Sequence, residues 1–223
     1  MTREEHVRRW SAAHGGTSAS PLVRWWLDGV RSVASPLAAA GVRPSAITVA
    51  GLLLAVVAVV PAWLQAHAPE GARWALAVPL LLGLAAVADG LDGAVAVLSG
   101  TASRGGAVLD AVCDRLADAA ALAVLWILGA PALPVLVAVA AGQLHEYTRA
   151  RAQGEGLVGP GVVTVSERPT RVLVAAMFAL GCGVYPQAAA AWATAGAWVA
   201  AAAALVGLLQ LLVVLRRRLS ALD

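Results

Sequence analysis

Long apolar runs are the feature that most constrains the fold of this chain. Six runs approach or exceed the roughly 20 residues that cross a bilayer, and they cover approximately residues 46–66, 74–98, 106–129, 132–150, 171–187 and 190–215. Only 13% of the residues are charged, against about 25% in an ordinary soluble domain. The sequence therefore predicts an all-α integral membrane protein with six transmembrane helices.

The basic residues indicate how such a chain would be oriented. All sixteen are arginine, and if the N-terminus faces the cytoplasm only Arg73 falls on the opposite side. The positive-inside rule then places both termini, and any polar site near the arginine-rich loops, on the cytoplasmic side of the inner membrane. The net charge of +3 suits anionic headgroups, and no nucleic-acid-binding motif accompanies it.

The chain divides into three predicted parts. Residues 1–20 are polar, show no secretory signal pattern and are predicted to be a disordered tail. In residues 21–43, tryptophan and aliphatic residues alternate with charged ones, which predicts an amphipathic juxtamembrane helix lying on the membrane surface. An ordinary helix packed on the spans is an equal alternative. Residues 44–218 form the membrane domain, which Pro44 opens as a first-turn proline.

Four aspartates lie in this apolar setting. Asp89 and Asp92 are three residues apart and Asp110 and Asp114 are four apart, so each pair shares one face of a helix. Because the short loop 99–105 joins the second and third spans, the two acidic faces are expected to meet. Carboxylate oxygens of this kind suit Mg²⁺ or Mn²⁺. Four of them can hold two ions about 3.5–4 Å apart, as in phosphoryl-transfer sites.

Other interpretations of the acids remain open from the residues alone. They could pair with arginines such as Arg104 and Arg115, or they could form an ion or proton pathway. Asp118 continues the acidic stripe and is predicted to be a partner for Arg115 or a supporting group. The neighbouring glycines Gly93 and Gly106 would let a flat or phosphorylated ligand approach the backbone closely.

The aspartates and glycines resemble the signature of the CDP-alcohol phosphatidyltransferases, Asp-x2-Asp-Gly-x2-Ala-Arg-x8-Gly-x3-Asp-x3-Asp. Seven of its eight specified positions match, at Asp89, Asp92, Gly93, Ala96, Gly106, Asp110 and Asp114. The segment 44–48 resembles the Pro-Asn-x-x-Thr that opens the first span of the family. Residues 147–152 and 167–171 resemble segments of actinobacterial phosphatidylinositol-phosphate synthases.

The resemblance implies an enzyme of phospholipid biosynthesis. It would transfer a phosphatidyl group from a CDP-linked lipid, CDP-diacylglycerol, to a small alcohol and release CMP. Asp89, Asp92 and Asp110 would ligate two Mg²⁺ or Mn²⁺ ions, with Asp114 on the second. Those ions would stabilise CMP as the leaving group, and Asp114 would accept the proton of the attacking hydroxyl.

The resemblance also implies two binding regions. The residues expected to bind the nucleotide of the donor are Pro44, Ser45, Thr48, Gly93, Ser103 and Gly106. Arg149, Arg168 and Arg171 are predicted to bind the acceptor. They favour a phosphorylated one such as inositol phosphate or glycerol phosphate, unless they only mark a cytoplasmic loop. The expected partners are the lipid donor, the alcohol and the bilayer, without nucleic acid, and a homodimer is left open.

Two positions depart from the family pattern. Val97 replaces the signature arginine, which helps to hold the donor in the family, and Arg104 is the predicted substitute. Ser45 replaces the asparagine of the opening motif. A catalytically degenerate nucleotide-lipid-binding protein of the same family is therefore one alternative function. A cation transporter is a weaker one, because neither broken helices nor repeated halves are visible.

Overall fold

The computed structural model describes residues 21–157, 159 and 162–220, which form helices and loops without any strand. The predicted disordered tail 1–20 lies outside them. The helices are α1 (Pro21–Ala39), α2 (Pro44–Val57), α3 (Val59–His67), α4 (Ala77–Ser99), α5 (Arg104–Ile127), α6 (Ala132–Gly154), α7 (Arg168–Val184) and α8 (Ala189–Leu219). Short 3₁₀ turns at Trp74–Leu76 and Pro186–Ala188 precede α4 and α8.

Every predicted apolar run coincides with helical structure, but the first run is divided. Ala58 separates α2 from α3. Pro61 explains the interruption, because it cannot donate to the carbonyl four residues earlier and its ring crowds that carbonyl. The two helices still form one apolar segment, Pro44–His67, of 24 residues.

Among the described residues, three segments are long and apolar enough to cross a membrane: Pro44–His67, Trp74–Ser99 and Pro186–Leu219. The other long helices differ for specific reasons. α5 carries a charged stripe, α6 ends in a polar segment and α7 has only 17 residues. The protein is thus a membrane protein, and every regular element of its described part is a helix.

Helix packing places four of these elements around one polar region. α2 packs on both α4 and α5, α6 packs along α8, and α7 contacts α4, α5 and α8. Gly51 allows the close approach of α2 to α4, because a Cβ there would lie 3.2 Å from the Cβ of Ala88. The C-terminal halves of α4 and α6 and the N-terminal halves of α5 and α7 therefore meet at one end of the bundle.

The segment before α7 is fixed against α8. Ser166 is fully buried and lies so close to Gly207 that a Cβ on that glycine would overlap it. The backbone N–H of Val165 donates to the side chain of Gln210 over 3.0 Å, and that of Thr164 donates to Glu167 over 2.8 Å. This anchoring fixes the start of α7, where two of the predicted site arginines lie.

Candidate functional site

Three of the four predicted metal ligands form a compact cluster. Asp89 comes from α4 and Asp110 and Asp114 come from α5, and one carboxylate oxygen of each lies within 4.8 Å of the others. The antiparallel contact expected between these helices therefore brings the acids together. Oδ1 of Asp110 is buried and accepts no hydrogen bond from the described residues. This carboxylate thus retains a buried ligand atom that no hydrogen bond uses.

The fourth acid, Asp92, is held differently. Its Oδ2 accepts a 2.5 Å hydrogen bond from the hydroxyl of Thr48, and its Oδ1 accepts one of 2.5 Å from the backbone N–H of Gly93. It nevertheless borders, with the other three aspartates and Arg168, a void of about 10 Å³, roughly the room of one water-sized sphere. Thr48 therefore links α2 to the acidic face of α4 and orients Asp92.

The arginines predicted to bind acceptor adjoin this cluster. Arg168 contacts Asp89 and also lies 2.7 Å from Asp114. Arg171 is buried, with its guanidinium 2.8 Å from Asp118 and 2.6 Å from Glu146. The pairing of acids with arginine, considered from the sequence for Arg104 and Arg115, is thus present mainly through the arginines of α7.

Arg149 anchors the loop before α7. Its guanidinium donates to both carboxylate oxygens of Glu167, at 2.7 and 3.1 Å, and to the carbonyl of Val162 at 3.1 Å. Burial alone would raise the pKa of Glu167, but the hydrogen bonds from Arg149 and Thr164 outweigh it and lower that pKa below its ordinary 4.5. Glu167 is therefore a fixed anion that holds Arg149 in place.

The Arg115–Asp118 contact expected from the sequence is present at 3.4 Å, and it belongs to one connected network. The network contains the carboxylates Asp89, Asp92, Asp110, Asp114, Asp118, Glu146 and Glu167 and the guanidinium groups of Arg115, Arg149, Arg168 and Arg171. Seven acids thus face four arginines, an excess of three negative charges when all are ionised. One divalent cation would offset two of these three charges.

A cavity of about 490 Å³ opens beside the acids. All six predicted nucleotide-binding residues line it, namely Pro44, Ser45, Thr48, Gly93, Ser103 and Gly106. Asp92 and Asp110 line it, so the cavity shares Asp110 with the acid cluster and Asp92 with the small void beside that cluster. A Cβ at Gly93 would meet no atom within 4 Å, which leaves open space above the backbone there.

Local capping explains part of this lining. Gly100, with φ of 68°, ends α4, and the N–H of Thr101 returns to the carbonyl of Ala96 at 3.0 Å. Ser103 then caps α5, because its hydroxyl accepts the N–H of Gly106 at 3.0 Å. Ser103 and Gly106 therefore shape the cavity wall by forming the helix start.

The position of the missing signature arginine lies on the same cavity. Val97 lines it, but Arg104, predicted to substitute, is exposed and does not. The lining contains a different arginine, Arg43, at the entrance to α2. No sequence pattern singles out Arg43, because it precedes the opening motif and lies 54 positions before Val97.

Two further polar residues, near the C-terminal end of α6, contact this region of the site. Glu146 of α6 lies near Arg115, Arg149 and Arg171, at 3.4, 3.6 and 2.6 Å. His145 beside it is fully buried and pairs with the hydroxyl of Thr164 at 3.0 Å. Glu146 lies three residues before Arg149 on the same helix, whereas its contacts with Arg115 and Arg171 join residues far apart in the chain, as does the contact of His145 with Thr164.

Residues 42–209 match the family model described as CDP-alcohol phosphatidyltransferase. The chain belongs to this family. It is 38% identical over 188 residues to the phosphatidylinositol phosphate synthase of Mycolicibacterium smegmatis, covering 81% of this chain and 80% of the relative. It is also 31% identical to the archaetidylinositol phosphate synthase of Pyrococcus horikoshii, covering 73% and 84% of the two chains.

Solved structures agree with this assignment. A crystal structure of the phosphatidylinositol phosphate synthase of Mycobacterium tuberculosis with CDP-DAG bound superposes with a TM-score of 0.67 at 26% identity, covering 83% of this chain and 92% of that one. The structure of that enzyme in complex with manganese and citrate gives a TM-score of 0.66 at 26% identity, covering 83% and 88%. The chain is accordingly a transferase of phospholipid synthesis that moves a phosphatidyl group from a CDP-linked lipid to an alcohol.

The acid cluster fits the divalent cation on which this family depends. Its donors are carboxylate oxygens, the ligands that Mg²⁺ and Mn²⁺ prefer. The open ligand atom on Asp110 and the excess of negative charge both point to a cation at this place. The prediction of a divalent metal cofactor is thereby confirmed.

Proposed function

We propose that this enzyme transfers the phosphatidyl group of CDP-diacylglycerol to a phosphorylated alcohol, with inositol phosphate as the best candidate. The observation that carries the proposal is the direct junction between the acid cluster and the arginines, made by Arg168. A reaction centre for phosphate and a receptor for a second anion are thus contiguous. The relatives named above as phosphatidylinositol phosphate synthases favour the same acceptor class.

Asp89, Asp92, Asp110 and Asp114 are the proposed ligands of two Mg²⁺ or Mn²⁺ ions. When bound, such ions neutralise the pyrophosphate of the donor and stabilise the departing CMP. Asp92 enters the set already oriented by Thr48 and Gly93. The clustered oxygens of the other three supply the remaining negative charge.

Asp114 is the proposed general base. The acceptor hydroxyl attacks the lipid-linked phosphorus, a new O–P bond forms, and the bond from that phosphorus to the CMP oxygen breaks. The hydroxyl proton passes to the carboxylate of Asp114. Arg168 lies 2.7 Å from Oδ1 of this group, so it keeps the carboxylate directed toward the side where the acceptor is expected.

The donor nucleotide is proposed to occupy the cavity of about 490 Å³. Its walls are the predicted residues Pro44, Ser45, Thr48, Gly93, Ser103 and Gly106. The volume lies within the range of about 300–1,000 Å³ common for small-molecule sites. Because Asp92 and Asp110 line this cavity and are also proposed metal ligands, a nucleotide here would present its phosphates to the metal ions.

Arg149, Arg168 and Arg171 are the proposed acceptor receptors. Each is held by carboxylates, yet the Nε–H of each is buried and makes no hydrogen bond within the described structure. A buried donor without a partner is unfavourable, so an oxygen-rich anion that reaches these groups would be stabilised. Arginine suits this role because its planar fork can bind two phosphate oxygens.

The membrane arrangement is part of the proposal. The helices of residues 44–218 form a six-span domain, and α1, within residues 21–43, lies on the membrane surface ahead of it. Residues 1–20 are a polar tail. The arginine distribution supports a multi-pass protein of the inner membrane with both termini and the site facing the cytoplasm. A soluble anionic acceptor would then enter from the cytoplasm.

A direct assay tests this function. The purified protein would be given CDP-diacylglycerol with inositol phosphate, free inositol, glycerol 3-phosphate or serine, and CMP release would be measured with Mg²⁺, Mn²⁺ or excess chelator. We expect turnover with a phosphorylated acceptor and none in chelator. A preference for free inositol or serine would contradict the acceptor class, and full turnover in chelator would contradict the metal site.

A further inference from the structure

Arg43 lies on the donor cavity without a side-chain partner among the described residues. It occupies the extended residue before Pro44 and α2, with φ of −73° and ψ of 128°, the conformation that a following proline favours. Its side chain is exposed and makes no ion pair or hydrogen bond with the part of the chain that the structure describes. Among the residues that line the cavity it is the sole cation.

A CDP-linked donor in the cavity would place negative charge beside carboxylates, so a cation in the lining would favour its binding. CDP-diacylglycerol carries a pyrophosphate, and two carboxylates, Asp92 and Asp110, line the cavity. Family members have an arginine at the position of Val97, which in this chain lines the cavity with an apolar side chain. The four arginines of the polar network already contact carboxylates. They do not line the cavity, so they do not supply it with positive charge.

We propose that Arg43 binds the anionic pyrophosphate of the CDP-linked donor and so replaces the absent arginine at position 97. Val97 and Arg43 border the same space from α4 and from the turn before α2. A guanidinium on a flexible stem can therefore reach a ligand in this space from the turn before α2 and bind two of its oxygens. Arg104, exposed and outside the lining, has no part in this role. The inference rests on the proposed function, because it presumes a CDP-linked ligand in this cavity.

The test compares Arg43→Ala with Arg104→Ala, a matched substitution of an exposed arginine outside the cavity. Binding of CDP to each purified protein is measured by titration calorimetry with Mn²⁺, and the KM for CDP-diacylglycerol is measured at saturating acceptor. For Arg43→Ala we expect about tenfold weaker CDP binding and a similar rise in donor KM, the scale of one charge-assisted contact. The kcat and the acceptor KM should change little, and Arg104→Ala should match the unsubstituted protein.

A rescue experiment makes the inference sharper. Val97→Arg returns a guanidinium to the cavity wall, so Val97→Arg combined with Arg43→Ala should recover most of the lost CDP affinity. If Arg43→Ala binds CDP normally while the unsubstituted protein turns over its donor, the role of Arg43 is refuted and the enzyme activity stands. If Arg43→Ala lowers affinity no more than Arg104→Ala does, only general surface charge is involved and the inference is again refuted. A protein that neither binds CDP nor releases CMP would refute the proposed function, and the role of Arg43 with it.

Discussion

The cavity proposed for the donor and the polar network proposed for the acceptor differ in how they hold the arginines that would bind an anion. The cavity is open, about 490 Å³ in volume, and carries one arginine, Arg43, among mostly small and apolar residues. The network beside it is mostly half-buried, and each of its arginines contacts at least one carboxylate. Asp92 and Asp110 belong to both regions.

This contrast follows from the energetics of buried charge. A cation deep among helices is strongly destabilising unless acids accompany it, so Arg171 is packed between Asp118 and Glu146. A cation at an exposed rim needs no such partner, because water screens it. An arginine at position 97 of the cavity can therefore be replaced by Arg43 from the preceding loop. Each arginine of the network, by contrast, lies near more than one carboxylate.

The largest effect is expected at Asp114, which belongs to the network and does not line the cavity. Asp114→Asn should lower turnover by at least about a hundredfold, because it removes the proposed base, and general-base catalysis contributes about 10²–10⁴. CMP release measures the rate and CDP titration measures nucleotide binding, which should survive. Asp110→Asn, by comparison, should weaken CDP binding as well, since Asp110 also lines the cavity. Near-normal turnover of Asp114→Asn would show that another group accepts the proton.

The next variant fills the donor cavity and leaves the network untouched. Gly93 has open space above it, so Gly93→Leu should occupy part of the nucleotide site and raise the donor KM on the order of tenfold to a hundredfold, a loss of about 1.4–2.7 kcal/mol. The acceptor KM should remain within about twofold, a change of ~0.4 kcal/mol. Gly83→Leu is the control, because Gly83 lies on the same helix with equal free space but outside the cavity. Equal effects of both would point to helix packing and not to the cavity.

A third prediction tests the network as the acceptor receptor. Arg168→Ala and Arg171→Ala should each raise the acceptor KM about tenfold or more, from the loss of a charge-assisted contact of about 1.5–3 kcal/mol, with the donor KM little changed. Arg151→Ala is the control, since Arg151 is 65% exposed and pairs with Glu155 at the surface.

The folded state of these variants can be checked by thermal unfolding. Arg171→Ala leaves Asp118 and Glu146 without that partner, so Arg171→Lys should accompany it as the variant that keeps the charge. If the enzyme used free inositol and its acceptor KM did not change in Arg168→Ala, these arginines would have only structural roles.

The smallest effect is expected for Glu167, the carboxylate in the loop before α7 that holds Arg149. Because the folded pKa of Glu167 is lowered, its ionised form stabilises the fold above its ordinary pKa of 4.5, and that stabilisation is lost as the pH falls through the folded value. Glu167→Gln should therefore lower stability by about 1 kcal/mol at neutral pH. The difference from the unsubstituted protein should shrink below pH 4.5. Glu155→Gln, in an exposed pair with Arg151, should change little at either pH.

The sequence was sufficient for the elements that follow a spacing rule. The apolar runs predicted the helices, and the separation of Asp89 from Asp92 and of Asp110 from Asp114 predicted two facing acidic surfaces. The family resemblance, in the signature and in the opening motif of the first span, predicted six donor-side residues that all line one cavity. Each of these inferences depends on periodicity or on a local motif, which a linear sequence displays directly.

What the sequence could not show depends on long-range geometry. Thr48 and Asp92 are joined by a hydrogen bond across 44 positions, and Arg149 and Glu167 across 18. Arg104 was predicted to replace the signature arginine because it is close to Val97 in the chain, but Arg43 is the arginine that lines the cavity. Proximity in space here comes from the packing of α2 on α4 and α5.

The burial of Ser166 against Gly207 has a consequence for the entropy of acceptor binding. The segment that carries Thr164 and Glu167 is already ordered on α8, and Arg149 and the start of α7 are held with it. Ordering a flexible loop residue costs roughly 1–2 kcal/mol. In this segment the cost is already part of the folding free energy, so it does not reduce the free energy of acceptor binding. Acceptor binding beside this segment should therefore require little further ordering of the loop. An alcohol whose shape does not match the site should bind weakly, because no loop closes to accommodate it.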